Sequence, residues 1–251
     1  MDYKLIFVIL LTGHFLGDFY FQSQLMAEEK NKKCRIMIKH GIYYMVSTIA
    51  PFFFFIASLI QWLSILLVPL LHIIVDITKS WLCQKSFFKK HQGTLFVADQ
   101  FIHILVIACV AYFYATEAAI AYSWLGIQFS KFYTTLDTGL SLHEIIRLAC
   151  LILFLGKPVS IFVGLILKSV TTKETNTDPK AGRIIGILER YLTVILILLG
   201  QYAALAVSLT FTAKTLTRFN KISEDKDFAE QYLIGTMSSL LFALIGVILY
   251  R

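Results

Sequence analysis

The sequence predicts an all-α fold, a polytopic bundle of transmembrane helices, on three observations. Of 251 residues, 57% are hydrophobic and 16% charged, where soluble domains run near 45–50% and about 25%. The apolar residues gather in runs near 20 residues, the length that a hydrocarbon core about 30 Å thick asks of a helix, and the mean hydropathy is +0.72. The charges fall mainly between those runs. A water-soluble domain is excluded on this pattern, and so is a secreted disulfide scaffold. The four cysteines (Cys34, Cys83, Cys109, Cys150) have neither bridge-like nor metal-clip spacing.

Apolar segments occupy about 4–22, 41–60, 62–82, 96–122, 142–167, 184–217 and 231–250. The first imitates a secretory leader, but it holds His14 and Asp18 and lacks a small-residue cleavage site, so it is expected to stay as a span. Segment 184–217 has 34 residues, about 50 Å as one helix and too long for a single crossing. Gly200-Gln201 near its middle offers a break. The excess of Lys and Arg on cytoplasmic loops tests that break. Leaving out Arg147, Lys157 and Arg190, which lie inside spans, one helix there sets fourteen basic residues against six across the membrane, and a hairpin sets seventeen against three. The hairpin separates the charges better, giving about eight spans (seven if 184–217 is one helix), both termini outside and the basic loops cytoplasmic.

The net charge of +7 then reports orientation and contact with anionic membrane lipids, not a nucleic-acid partner. The most polar stretch, 169–183, divides a His/Asp-rich bundle at 1–168 from C-terminal transmembrane helices at 184–251. No period marks repeats.

Three spans each carry an acid and an imidazole four residues apart: His14 with Asp18, His72 with Asp76, and Asp99 with His103. Residues i and i+4 share a helix face, and ionisable groups inside a membrane are costly enough that function is their default reading. With spans alternating in direction, the three acids lie about 5–9 Å inside the basic boundary and the three imidazoles about 11–15 Å inside. His40 lies at the boundary itself. These groups converge on one layer, suited to one or two divalent transition-metal ions, zinc first, with manganese or iron as alternatives. His14, Asp18, His72, Asp76, Asp99 and His103 are the expected ligands. His40 is a candidate further ligand or general base, Lys79 a candidate anchor for a phosphate or other anion, and Gln22 and Gln100 candidate hydrogen-bond partners behind the ligands. Asp/His pairs also serve as proton relays or interhelical ties without a metal. In the second half, Glu189, Arg190, Lys214, Arg218 and Glu230 are expected to form a cluster of structural ion pairs.

The string His14-Phe15-Leu16-Gly17-Asp18-Phe19 with Gln22 and Lys30, then His40-Gly41, His72-x3-Asp76-x2-Lys79 and Asp99-Gln100-x2-His103, resembles a bacterial integral-membrane family catalogued as a domain of unknown function. The likeness continues through Gly182-Arg183-x2-Gly186-x2-Glu189-Arg190, Ala213-Lys214-x3-Arg218-Phe219 and Ala229-Glu230-x-Tyr232-x2-Gly235-Thr236. The resemblance implies a bacterial inner-membrane protein. Its His and Asp pattern is also similar to membrane-bound metal-dependent hydrolases, an argument by analogy. The expectation is a metal-dependent membrane hydrolase acting near the cytoplasmic leaflet on a lipid-linked or phosphoester substrate. A cation or proton transporter using the same cluster, and a non-catalytic anchor or sensor, remain open, as does homo-oligomerisation.

Overall fold

The computed structural model describes residues 3–30, 32–56, 58–85, 91–117, 121–135, 139–170, 179–200, 215–216 and 218–250. They are helical apart from turns, connections and one two-residue antiparallel bridge, with Phe55 opposite Tyr122 and Ile56 opposite Ala121. Among the described residues, five stretches are long and apolar enough to cross a membrane: Tyr3–Tyr20, Leu59–Leu82, Gln92–Thr116, Leu142–Val170 and Lys226–Tyr250. They mark a membrane protein. The proposed fold-back at Gly200-Gln201 falls largely on residues outside the described ones, as does Lys214.

Contacts divide the chain into two compact units, Met1–Cys150 and Leu151–Arg251. In the first, α1 (Tyr3–Phe15) runs on into a wider turn, Leu16–Tyr20. There Phe21 N–H donates to the Leu16 carbonyl five residues back, at 2.8 Å. Such π turns insert one extra residue into a helix and recur at functional sites. Ser23 starts the short α2 (Gln24–Glu29), its hydroxyl accepting from Met26 N–H at 3.2 Å. Helix α3 (Cys34–Ile49) begins earlier than the apolar run at 41–60 suggests and stops sooner. Pro51 cannot continue it, and the chain tightens into a 3-10 turn at Ala50–Phe54. Ser58 and Gln61 cap α4 (Leu59–Leu82) reciprocally, at 3.2 and 2.9 Å. Helix α5 is Gln92–Glu117 and α6 is Trp124–Thr135.

Helices α1, α3, α4 and α5 close into a ring. Both α1 and α4 pack against α3 and α5. Small residues let α1 approach α3: a Cβ on Gly13 would stand 2.7 Å from the Ser47 carbonyl oxygen, and one on Gly17 would stand 2.9 Å from the Tyr44 ring. On α4, Leu63, Leu67, Leu70, Ile74 and Ile77 are exposed, whereas Gln61, Ile65, Val68, His72 and Asp76 are buried. Its lipid-directed face is therefore the apolar one. The ring's interior is apolar around Ile6, Leu10, Ile65, Ile107 and Tyr114, and polar where α1 and α4 end and α3 and α5 begin.

In the second unit, the apolar run 142–167 is broken. Helix α7 (Leu142–Leu155) straddles the boundary between the units, and a turn at Gly156 separates it from α8 (Lys157–Val170). Pro158, which has no N–H to donate, accounts for the break. Helix α9 (Pro179–Leu198) and α8 both pack against α10 (Lys226–Tyr250). Most of the polar segment 169–183 lies outside the described residues; within the second unit Leu151 and Leu155 pack with Val194, Ile197, Ala243 and Val247.

Candidate metal centre

The helix ring brings six of the seven His and Asp groups singled out by spacing into contact and holds the seventh at their edge. Helix α1 supplies Asp18 from its π turn, α3 supplies His40 from its first half, α4 supplies His72 and Asp76, and α5 supplies Asp99 and His103. All are buried. Two overlapping sets have atoms close enough to hold a metal ion: Asp18, His40, His72 and Asp76; and Asp76, Asp99 and His103.

In the first set, His40 Nε2 lies 3.4 Å from Asp18 Oδ1, 3.2 Å from Asp76 Oδ2 and 3.1 Å from His72 Nε2. His72 Nε2 lies 3.9 Å from Asp18 Oδ1 and 3.5 Å from Asp76 Oδ2. A tetrahedral ion with bonds of about 2.0–2.1 Å to nitrogen and oxygen has donor-to-donor edges of about 3.3–3.4 Å. Five edges of this set thus bracket that length. In the second set, His103 Nε2 and Asp99 Oδ1 are 3.4 Å apart. Asp18 Oδ1, Asp99 Oδ1 and His103 Nε2 are buried with no hydrogen-bond partner among the described residues. Orphaned donors and acceptors are rare in folded interiors, and atoms of these types are metal ligands.

His14 stands at the edge of both sets. Tyr44 Oη donates to its Nδ1 and its Nε2–H donates to Gln100 Oε1, each at 3.2 Å, so both ring nitrogens are engaged. Asp18 lies within the π turn, where the winding departs from regular α-helix, and its carboxylate meets His40 at 3.4 Å. His72 with Asp76 and Asp99 with His103, on regular α-helix, keep their i,i+4 pairing at 3.5 and 3.4 Å.

Gln100 Nε2 donates to Asp18 Oδ2 at 2.9 Å and to Asp99 Oδ2 at 3.2 Å, linking α1 to α5. Gln22 lies near this region of the chain, and its carbonyl oxygen is buried without a hydrogen bond among the described residues. Lys79 Nζ donates to Asp99 Oδ2 at 2.6 Å and lies 5.1 Å from the Phe96 ring centroid, with its side chain 18% exposed.

Two participants were not assigned to the site by sequence reasoning. Lys30, just after α2, is buried and donates to Asp76 Oδ2 at 2.8 Å, with Asp18 Oδ1 at 3.9 Å. Burial opposes its charge, but the carboxylates of Asp18 and Asp76 outweigh that and raise its pKa above the ordinary lysine value. Tyr44 lies one helical turn after His40 on the same face, which is the signal that would have found it. With neutral imidazoles, Asp18, Asp76 and Asp99 against Lys30 and Lys79 leave one excess negative charge, a setting that favours a cation.

In the second unit, the described contacts of the charged set centre on Arg190. Arg190 is buried, and its guanidinium donates to the carbonyls of Leu155 at 2.7 Å and Gly156 at 3.3 Å and to the hydroxyls of Ser160 at 2.7 Å and Ser239 at 2.9 Å. These are neutral acceptors, two of them supplied by the break ahead of Pro158. Glu230 has Lys226 at 4.0 Å. Glu189 lies on α9 and Arg218 on the helical residues that precede α10.

Fold and site together define a helical membrane protein whose buried His/Asp cluster can hold a metal ion. The chain belongs to the family described as "Protein of unknown function (DUF3307)", which matches residues 6–133. That stretch contains the four ring helices' site residues. No curated protein and no solved structure matches the chain.

Proposed function

We propose that this protein is a metal-dependent membrane hydrolase with a lipid-linked or phosphoester substrate. The observation that carries the metal is the near-tetrahedral spacing of Asp18 Oδ1, His40 Nε2, His72 Nε2 and Asp76 Oδ2. Zinc suits two imidazoles and two carboxylates best, with manganese or iron as alternatives. A divalent ion held by this cluster would supply Lewis acidity and, where a coordination position stays open, would lower the pKa of a bound water towards about 7. The chain's own residues do the rest. Gln100 fixes the orientation of Asp18, and Lys79, partly exposed beside Asp99, offers an ammonium to an anionic substrate group. Apolar outer faces on the surrounding helices suit an acyl or isoprenoid tail.

The finer topology belongs to the same reading: about eight spans, basic loops on the cytoplasmic side of a bacterial inner membrane, and the cluster near that leaflet. The test is turnover of phosphoester and lipid-linked phosphate substrates by zinc-loaded protein in detergent. Product formation that is lost on chelation and in His72→Ala supports the proposal; no turnover of either class counts against it.

One observation favours a second reading. His40 Nε2, His72 and His103 Nδ1 form a line of ring nitrogens with contacts of 3.1 and 3.2 Å, which is what a proton path requires. Vesicles containing the protein separate the two: flux without product favours transport, and product without flux favours hydrolysis.

A further inference from the structure

The two ligand sets share Asp76, and a carboxylate has two oxygens, so their overlap alone would permit a two-ion centre. The contact between the imidazoles of the two sets argues otherwise. His72 Nδ1 and His103 Nδ1 are 3.2 Å apart in hydrogen-bonding geometry, and both rings are buried. A neutral imidazole carries one N–H and one lone pair. In a hydrogen bond between two Nδ1 atoms, one ring holds its proton at Nδ1 and the other at Nε2. The donor ring alone therefore has a lone pair at Nε2, which for His72 faces His40 Nε2 at 3.1 Å.

In both rings the nitrogen that lies beside the carboxylates is Nε2. In the four-donor set it is His72 Nε2, beside His40 and the two carboxylates. In the three-donor set it is His103 Nε2, which is 3.4 Å from Asp99 Oδ1, both atoms lacking a hydrogen-bond partner among the described residues. For both rings to bind ions, both would carry protons at Nδ1. Two N–H groups would then face each other at this separation in a low-dielectric interior, where an unmet donor is expensive.

Resting on the metal reading given above, we propose that the chain holds one ion in either of two overlapping seats, selected by the tautomers of the His72–His103 pair. When His72 donates to His103, the four-donor seat is open and His103 acts as an orienting partner for a ligand, as outer hydrogen bonds do in other metal sites. When His103 donates, the three-donor seat is open. Three protein ligands leave a free coordination position, and four close the shell. The four-donor seat is thus a holding seat and the three-donor seat an accessible one.

The experiment is a cobalt(II) titration of the intact, detergent-purified chain followed by visible absorption, with zinc content per chain measured in parallel. The expected result is saturation at one equivalent. His103→Ala should still take one equivalent, with affinity lowered by about 10–100-fold because His72 loses its partner, and His40→Ala should take one equivalent with an altered spectrum. Two equivalents in the unmutated chain would overturn the one-ion proposal and leave the metal reading intact. Unchanged affinity in His103→Ala would overturn the ring coupling. No binding at all would overturn the metal reading itself.

Discussion

The ring of Tyr44 lies flat on the ring of His72, their centroids 3.5 Å apart and their planes 8° from parallel. The same residue's hydroxyl reaches His14 at 3.2 Å, so one aromatic side chain fixes the plane of an expected ligand and engages the imidazole beside it. Tyr44→Phe keeps the stack and loses the hydroxyl. Its expected cost is about 1–3 kcal/mol of stability, with metal affinity little changed. Tyr44→Leu frees the His72 ring and should lower zinc affinity about tenfold or more. Chelator competition and thermal melts of both variants check this.

The approach of α1 to α3 gives a second prediction. A Cβ on Gly13 meets the Ser47 carbonyl at 2.7 Å and Thr48 Cα at 2.9 Å, backbone atoms that cannot rotate away. Gly13→Ala should destabilise the detergent-solubilised protein by about 1–3 kcal/mol. At Gly41 the near atom is the Ile73 Cδ1 methyl at 2.8 Å, the mobile end of a side chain, so Gly41→Ala should cost less. Melting the two variants side by side ranks them.

Lys30 is expected to compete with a metal ion for the same carboxylate oxygens. Lys30→Met leaves Asp18 and Asp76 buried without their ammonium, a loss of about 3–5 kcal/mol in the metal-free protein. Zinc should restore more stability to that variant than to the unmutated chain. The pKa of Lys30 is raised in the folded state. Its contribution is therefore fully present below the ordinary value of 10.5 and is lost only as pH rises through the higher folded value. Titrating from pH 6 to 9 should leave this contribution flat, and thermal melts across that range measure it.

Arg190 ties the break between α7 and α8 to α9 and α10. Arg190→Met leaves two carbonyls and two hydroxyls without this donor, with an expected loss of about 3 kcal/mol or more. Lysine lacks the planar fork that serves several acceptors at once, so Arg190→Lys should recover little of it. Zinc content should be unaffected in both, because every cluster residue lies in the unit Met1–Cys150. Melts paired with elemental analysis read both effects.

The three Asp/His pairs were legible in the sequence because a four-residue spacing is a helical-face signal, and alternating spans place equal depths together. The π turn at Leu16–Tyr20 was not, since no residue pattern distinguishes it from regular helix; Asp18, which lies in it, meets His40, while His14 meets Tyr44 and Gln100. Lys30 has no spacing that ties it to the Asp/His pairs; α2 packs against α3, and Lys30 turns inward to Asp76. The neutral acceptors of Arg190 depend on a helix break at Gly156, which the unbroken apolar run 142–167 conceals, although Pro158 was there to suggest it. The end of α3 at Ile49, just before Pro51, is the same lesson: hydropathy sees the length of an apolar run and not where its helix stops.

Elemental analysis of the detergent-purified protein beside its His72→Ala, Asp76→Ala double variant tests the central claim most directly. The account predicts a divalent transition metal, zinc first, bound in near-stoichiometric amount to the unmutated chain and lost from a variant that stays folded. Equal, negligible metal in both after exposure to zinc would contradict it.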